Sequence, residues 1–194
     1  MDIVVTVLSE KPSRGIFKFG NKNYPCALGK GGVATNKREG DHKSPLGCFA
    51  LRRIYYRYDK LERPLYSKVP MMALLKEDGW CDDPDDASYN KSVMLPYHAS
   101  AEKLWRDDDL YDVLIVLGHN DAPVCPNKGS AVFIHVAEDL DSDDYLGTEG
   151  CVSLKKSDLL EILPILTAET SIQISRANLL EQNPKINQQI QLHL

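Results

Sequence analysis

A chain of 194 residues with 43% hydrophobic and 26% charged side chains is long enough to bury one sizeable core. No repeat, composition shift or Gly/Ser-rich linker divides it, so a single domain over residues 1–194 is expected. The net charge of -5 and a pI near 5.5 argue against nucleic acid or anionic lipid as partners, because both need a positive field, and nothing approaches a membrane-spanning run.

"IVVTVLS" at 3–9 reads as a strand, and "GIFKFGNKNYPCAL" at 15–28 as a hairpin turning at Gly20-Asn21, where the turn needs a positive φ. Residues 29–47 are glycine-rich and polar, too irregular for a regular element and long enough for a functional loop. They lack phosphate-loop spacing, since Lys43-Ser44 follows Asp-His. "CFALRRIYYR" predicts a strand, whose alternation explains the interleaved basic and aromatic residues at 52–57 better than base stacking does. The acidic stretch "GWCDDPDDASYNKSV" at 79–93 reads as a solvated loop rather than a cation site. "SAEKLWRDD" at 100–108 predicts a short helix capped by Ser100.

Two apolar, β-branched runs follow, "YDVLIVLGHN" at 111–120 and "SAVFIHVAED" at 130–139, short enough for strands covered on both faces. "SDLLEILPIL" at 157–166 fits a helix interrupted at Pro164, and "TSIQIS" at 170–175 alternates as a last strand. The tail from about Asn178 is expected at the periphery.

The five cysteines, at 26, 48, 81, 125 and 151, are odd in number, widely spaced and without a C-x-x-C pair. That disfavours a disulfide framework or a zinc site. With no basic, apolar leader at the amino terminus, a reducing cytoplasm is the expected compartment.

His135 ends one apolar run, and Cys151 follows sixteen positions later behind Thr148-Glu149-Gly150. An imidazole within reach of a thiol can take its proton and generate the thiolate that attacks carbonyls. Gly150 lets a substrate approach the sulfur, and the amides of Gly150 and Cys151 could form an oxyanion hole. The residue pattern alone leaves open a buried, inert cysteine and a merely hydrogen-bonded histidine. A metal-dependent hydrolase built on His119, Asp121, His135 and the aspartates of 82–86 also stays open. The acidic run "EDLDSDD" at 138–144 lacks the Gly and Glu positions of a calcium loop and reads as a solvated loop.

"GSAVFIHVA...GTEGCVSL", with "GHNDAPV" before it and "EGDHKSPLGCF" upstream, resembles the catalytic domain of the L,D-transpeptidase family, also called the YkuD domain. The family signature of a strand-borne His, then Ser or Thr, any residue, Gly and the nucleophilic Cys falls on His135, Thr148, Glu149, Gly150 and Cys151. The resemblance implies a mainly β fold with a few short helices, a sandwich or barrel-like catalytic domain. It also implies acyl transfer at an L,D peptide bond of peptidoglycan stem peptides through a Cys151 thioester, with His135 as base and then acid, and with neither metal nor organic cofactor.

Glu149 stands where the family usually has His, Ser153 where Arg or Asn is common, and His119 where an aromatic is frequent. Each is a substrate-side position on this reading, as is Thr148. Glu149 would oppose a thiolate at Cys151 unless it points outward or grips a substrate ammonium. Arg38 and Lys43 are candidates for the substrate's terminal carboxylate. The expected activity is an L,D-carboxypeptidase trimming terminal D-Ala from soluble tetrapeptides in cell-wall recycling. Cross-linking or D-amino-acid exchange by the same machinery is the alternative, and a silent muropeptide-binding module is a third reading.

Overall fold

The computed structural model describes residues 1–61, 65–137 and 147–177. The acidic run at 138–144 and the tail from Asn178 lie outside these residues.

The strands follow the alternation of the sequence. Ile3–Val7 (β1) precedes the hairpin of Arg14–Phe19 (β2) and Lys22–Ala27 (β3), which turns at Gly20 with φ +61, a conformation that costs a Cβ-free residue little. The glycine-rich segment beyond it holds only Val33–Ala34 (β4) and Ser44–Pro45 (β5), paired in parallel. Gly47–Tyr56 (β6) is the long strand expected from "CFALRRIYYR". Met71–Ala73 (β7), Asp78–Cys81 (β8), Ser92–Met94 (β9) and Ala101–Lys103 (β10) are short. Val113–Leu117 (β11), Phe133–Val136 (β12) and Val152–Leu154 (β13) lead to the helix Lys156–Ile162 (α1). A single 3-10 turn at Leu163–Ile165 marks the interruption at Pro164, and Ser171–Arg176 (β14) closes the described chain.

The main sheet runs β11-β12-β13-β3-β2-β1-β14-β6-β7 and closes on itself because β6 also pairs with β11. β6 can serve both neighbours because of its length: residues 47–50 pair with β14 and residues 51–56 with β11. The result is the barrel-like, mainly β fold expected, with one short α-helix among the described residues. Its main core gathers Ile3, Phe17, Ile54, Ile115, Ile134 and Val152, joined by Leu159 and Ile162 of α1. Each such side chain, wholly removed from water, contributes about 1.5–3 kcal/mol.

The opposite face of β11 and β12 is covered too. Leu114, Val116 and Phe133 pack beneath Trp80, Leu104 and Tyr111, and the Trp80 and Phe133 rings meet edge to face at 5.3 Å. Trp80 comes from a small cap sheet ordered β10-β8-β9. Every residue of β11 and β12 is buried, which is why these runs read as continuously apolar. Tyr55 of the basic-aromatic segment is buried in this second cluster, so the strand reading of 52–57 holds.

The helix predicted over 100–108 is absent. Ala101–Lys103 is instead an edge strand, with Ala101, Glu102 and Lys103 opposite Cys81, Trp80 and Gly79. Helix propensity in this stretch is worth tenths of a kcal/mol per residue. Pairing with β8 and burial of the adjoining Leu104 outweigh it.

Asn90 ties the cap to the barrel. Its Nδ2 donates to the carbonyls of His119 and Asn120, and its Oδ1 accepts from the Trp80 indole and the Ala131 amide. All four hydrogen-bonding capacities of the buried amide are used. Asn90→Ala strands the Trp80 and Ala131 donors and is expected to lower unfolding free energy by about 2–4 kcal/mol, read as a lower urea midpoint. A change below about 0.5 kcal/mol would show that the cap does not depend on this hub.

Candidate active site

β12 and β13 run parallel, with His135 opposite Ser153 and Ile134 opposite Val152. Side chains alternate along a strand. Ile134, Val136, Val152 and Leu154 therefore enter the main core, while Phe133, His135, Cys151 and Ser153 share the other face. Ideal strand spacing and rise put His135 and Cys151, diagonal neighbours across this ladder, about 8 Å apart at Cα. Both line one cavity of about 560 Å³, with Lys37, Glu102, Tyr111 and Ser130 on its walls.

The turn before Cys151 is held by hydroxyls and by backbone packed on backbone. The Thr148 hydroxyl donates to the Cys151 carbonyl at 2.8 Å and accepts the Gly150 N–H at 3.1 Å. Ser44, buried in the glycine-rich segment, donates to the same Cys151 carbonyl at 2.8 Å and accepts the Gly29 N–H. Lys30 N–H bonds the Thr148 carbonyl, and Gly31 N–H the His42 carbonyl. The polar segment 29–47 is thus the cradle of the Cys151 turn. Gly150 has φ +138, and a Cβ there would stand 3.0 Å from the Lys43 carbonyl oxygen, so a side chain would strain both the backbone and its neighbour.

The thiol of Cys151 donates to the Ala131 carbonyl at 3.2 Å and receives the Phe133 N–H at 3.4 Å. Among the described residues no hydrogen bond joins it to His135. The His135 Nδ1 lies 2.8 Å from the Val136 carbonyl. A carbonyl can only accept, so Nδ1 carries the proton and Nε2 keeps its lone pair. Burial pushes the imidazole down to about 4, and the Val136 bond opposes this only in part. Burial also pushes the Cys151 thiol up to about 12, reinforced by the nearby Glu102 carboxyl and opposed by the Phe133 amide and the Lys37 charge. Both shifts favour a neutral thiol and a neutral imidazole in the free site.

With this geometry in place, the pattern of the L,D-transpeptidase catalytic domain (YkuD) matches residues 11–174. The chain belongs to this family. YkuD domains are L,D-transpeptidase-type enzymes that act by cysteine acyl transfer on peptidoglycan stem peptides. No curated protein matches the sequence. Among solved structures, the chain is similar to Bd1075 of Bdellovibrio bacteriovorus, with 15% identity and a TM-score of 0.41, over 98% of this chain and 55% of that one. The chain thus spans about half the length of that protein.

The residues at which this YkuD domain departs from its family find definite places. Glu149 lines the cavity with its side chain 69% exposed, paired with Lys30 and in contact with His42. Its hydrogen bond with Lys30 holds the carboxyl below the usual range, helped by His42. Those partners offset part of its charge, and the acid still works against a thiolate at Cys151. Ser153 is buried and lines the cavity beside His135.

His119 is not on the cavity wall. Its Nε2 meets the Lys128 carbonyl at 2.9 Å and its ring stands edge-on to Phe49, so it braces the loop after β11 rather than a substrate. Arg38 is exposed and Lys43 half-buried, and neither side chain lines the cavity, so neither is placed to meet a carboxylate there. The cations that do line it are Arg106 and Lys37, the latter one residue before Arg38. The presence of Lys37 was visible in the sequence, but nothing in a loop without periodicity shows which way a side chain turns.

The groups of the alternative metal site are not brought together: Asp121 pairs with Arg52, Asp86 holds His98, Tyr97 and the Ser88 amide, and only His135 and Asp82 face the cavity. Ser44, Glu102, Tyr111 and Lys37 are site residues that motif spacing alone missed.

Because the thiol is pushed up to about 12, its thiolate fraction falls tenfold per pH unit below that value. Alkylation of Cys151 by iodoacetamide in the free protein, followed by mass spectrometry of its peptide, is expected to rise about tenfold per pH unit from 7 to 10. A plateau reached near pH 6 would instead reveal a resting thiolate-imidazolium pair.

Proposed function

We propose that the chain is a thiol L,D-carboxypeptidase that releases the terminal D-Ala from peptidoglycan tetrapeptides. The observation that carries this reading is the shared face of β12 and β13, which brings an imidazole with a free Nε2 lone pair and a thiol to one cavity. In the proposed step, Cys151 gives its proton to His135 Nε2 while sulfur bonds the carbonyl carbon of the third residue. The carbonyl electron pair moves onto oxygen. Collapse of this intermediate expels the D-Ala amine, which takes the proton back from the imidazolium. Water then attacks the thioester, with His135 again as base, and protons and atoms balance without a cofactor.

The oxyanion expectation is revised by the hydrogen bonds. The Gly150 N–H is already given to Thr148, whereas the Cys151 N–H has no partner among the described residues. The proposed hole rests on the Cys151 amide, a donor whose loss in comparable sites costs about 3–4 kcal/mol.

The cavity's volume of about 560 Å³ suits one ligand of modest size, such as one donor peptide end. All five cysteines are unpaired, which favours a reducing compartment and soluble muropeptides as substrates.

Incubation of the protein with a defined tetrapeptide ending in D-Ala, with and without an added D-amino acid, tests this by product mass spectrometry. Free D-Ala and tripeptide are expected. Cys151→Ala should abolish the release, and His135→Gln should lower kcat by about 10²- to 10⁴-fold. Joined stems or an exchanged terminal residue would assign the acceptor as an amine and the enzyme as a transpeptidase, and turnover surviving in Cys151→Ala would overturn the thiol mechanism.

A further inference from the structure

Lys37 is the least expected side chain around Cys151. It is only 5% exposed, although burying an ammonium is costly unless something compensates. Its stem threads between two glycines of left-handed φ. A Cβ on Gly129 (φ +95) would lie 2.7 Å from Lys37 Cε, and one on Gly150 (φ +138) would lie 3.2 Å from Lys37 Nζ. Both turns leave room for this one side chain. The ammonium bonds Asp41 at 2.8 Å and reaches the Arg38 carbonyl only at 3.5 Å, so one of its three donors is well used.

We propose that Lys37 is the electrostatic positioning residue of the site: its ammonium is held against the Gly150–Cys151 turn, where the thiolate and then the oxyanion gather negative charge. The proposal rests on Cys151 as the nucleophile and not on which peptide it attacks.

The other charged and titratable groups around the thiol do not supply this field. Glu102 of β10 works against a thiolate, and burial raises its own carboxyl above the ordinary range, with the Tyr111 hydroxyl opposing. Glu149 also works against it and is spent on Lys30 and His42. Arg106 is matched by the two oxygens of Asp108 and bears on His135 rather than on Cys151. His135 itself is neutral at rest. Lys37 is the charge that favours the anion at sulfur.

Asp41 is the counterweight. Burial works against its charge, but the Lys37 bond and the amides of Arg38 and Lys43 prevail and hold its carboxyl below the usual range. An anion 2.8 Å from Lys37 partly cancels the field that reaches Cys151.

This arrangement has a signature that a packing role lacks. Lys37→Met and Asp41→Asn break the same ion pair, yet the first removes the cation and the second unmasks it. Alkylation of Cys151 by iodoacetamide at pH 7.5, followed by mass spectrometry of its peptide, is expected to slow about tenfold in Lys37→Met and to quicken about threefold or more in Asp41→Asn, one pKa unit of the thiol being tenfold in thiolate.

Rates that move in the same direction, or that stay at the wild-type value, would overturn the proposal. If Lys37→Met loses its near-UV circular dichroism, Asp41→Asn decides alone: acceleration supports the proposal, and slowing or no change sinks it. D-Ala release by the wild type is scored separately, so opposite alkylation shifts without D-Ala release would reject the carboxypeptidase reading and leave the role of Lys37 standing.

Discussion

The parallel pairing of β12 with β13 is the constraint on which the candidate site depends. Parallel neighbours cannot be joined by a tight turn, so the chain must leave the sheet after Val136 and return at Cys151. The register with Ile134 opposite Val152 then does two things at once. It sends four aliphatic side chains into the barrel, and it commits His135, Cys151 and Ser153 to the outer face. A slip of one residue would turn the imidazole into the aliphatic core and Ile134 toward the cavity. The cost of placing a polar ring in that core locks the register, so the geometry of the candidate site is a by-product of core formation.

What remains is to hold the residue before β13 still, and polar loops do this. The Cys151 carbonyl accepts hydroxyls from Thr148 within its own turn and from Ser44 across the cradle. Loops rarely pack backbone to backbone without leaving orphaned amides. Here the amides of Gly29, Lys30 and Gly31 find Ser44, Thr148 and His42 in turn. The glycines of 29–47 are therefore a packing requirement of the Cys151 turn. That explains why the segment looks featureless as secondary structure and yet is central to the site.

The sequence disclosed those parts of the molecule whose structure is dictated locally. The β-branched runs around residues 113–117 and 133–136 declare buried strands, and the Gly20 turn declares the hairpin. The spacing of His135 and Cys151 could be recognised only with the family pattern beside it, since the distance between them is created by strand pairing and not by the intervening chain. Where two preferences compete, the sequence misled. Residues 101–103 have helix-forming side chains, but the exposed edge of β8 supplies hydrogen bonds that an isolated short helix cannot match. The same non-locality hid Lys37. Arg38 and Lys43 are equally cationic in the sequence, and only the positions of Gly129 and Gly150, some ninety and more residues away, decide which cation reaches the cavity.

A buried neutral pair also bears on how such a site avoids wasteful chemistry. The thiol hydrogen is given to the Ala131 carbonyl, and Ala131 itself sits at φ +50, a strained conformation for a residue with a side chain. The strain is held by the bond from the Ala131 amide to Asn90, and so by the cap sheet. On the proposed mechanism, His135 takes the proton only after the thiol lets go of that carbonyl. A peptide that adds its own backbone groups to the cavity competes for the same carbonyl and excludes water, which strengthens every remaining charge. On the proposed thiol mechanism, activation is then coupled to substrate entry, with the sulfur a poor nucleophile until an acyl donor lies beside it.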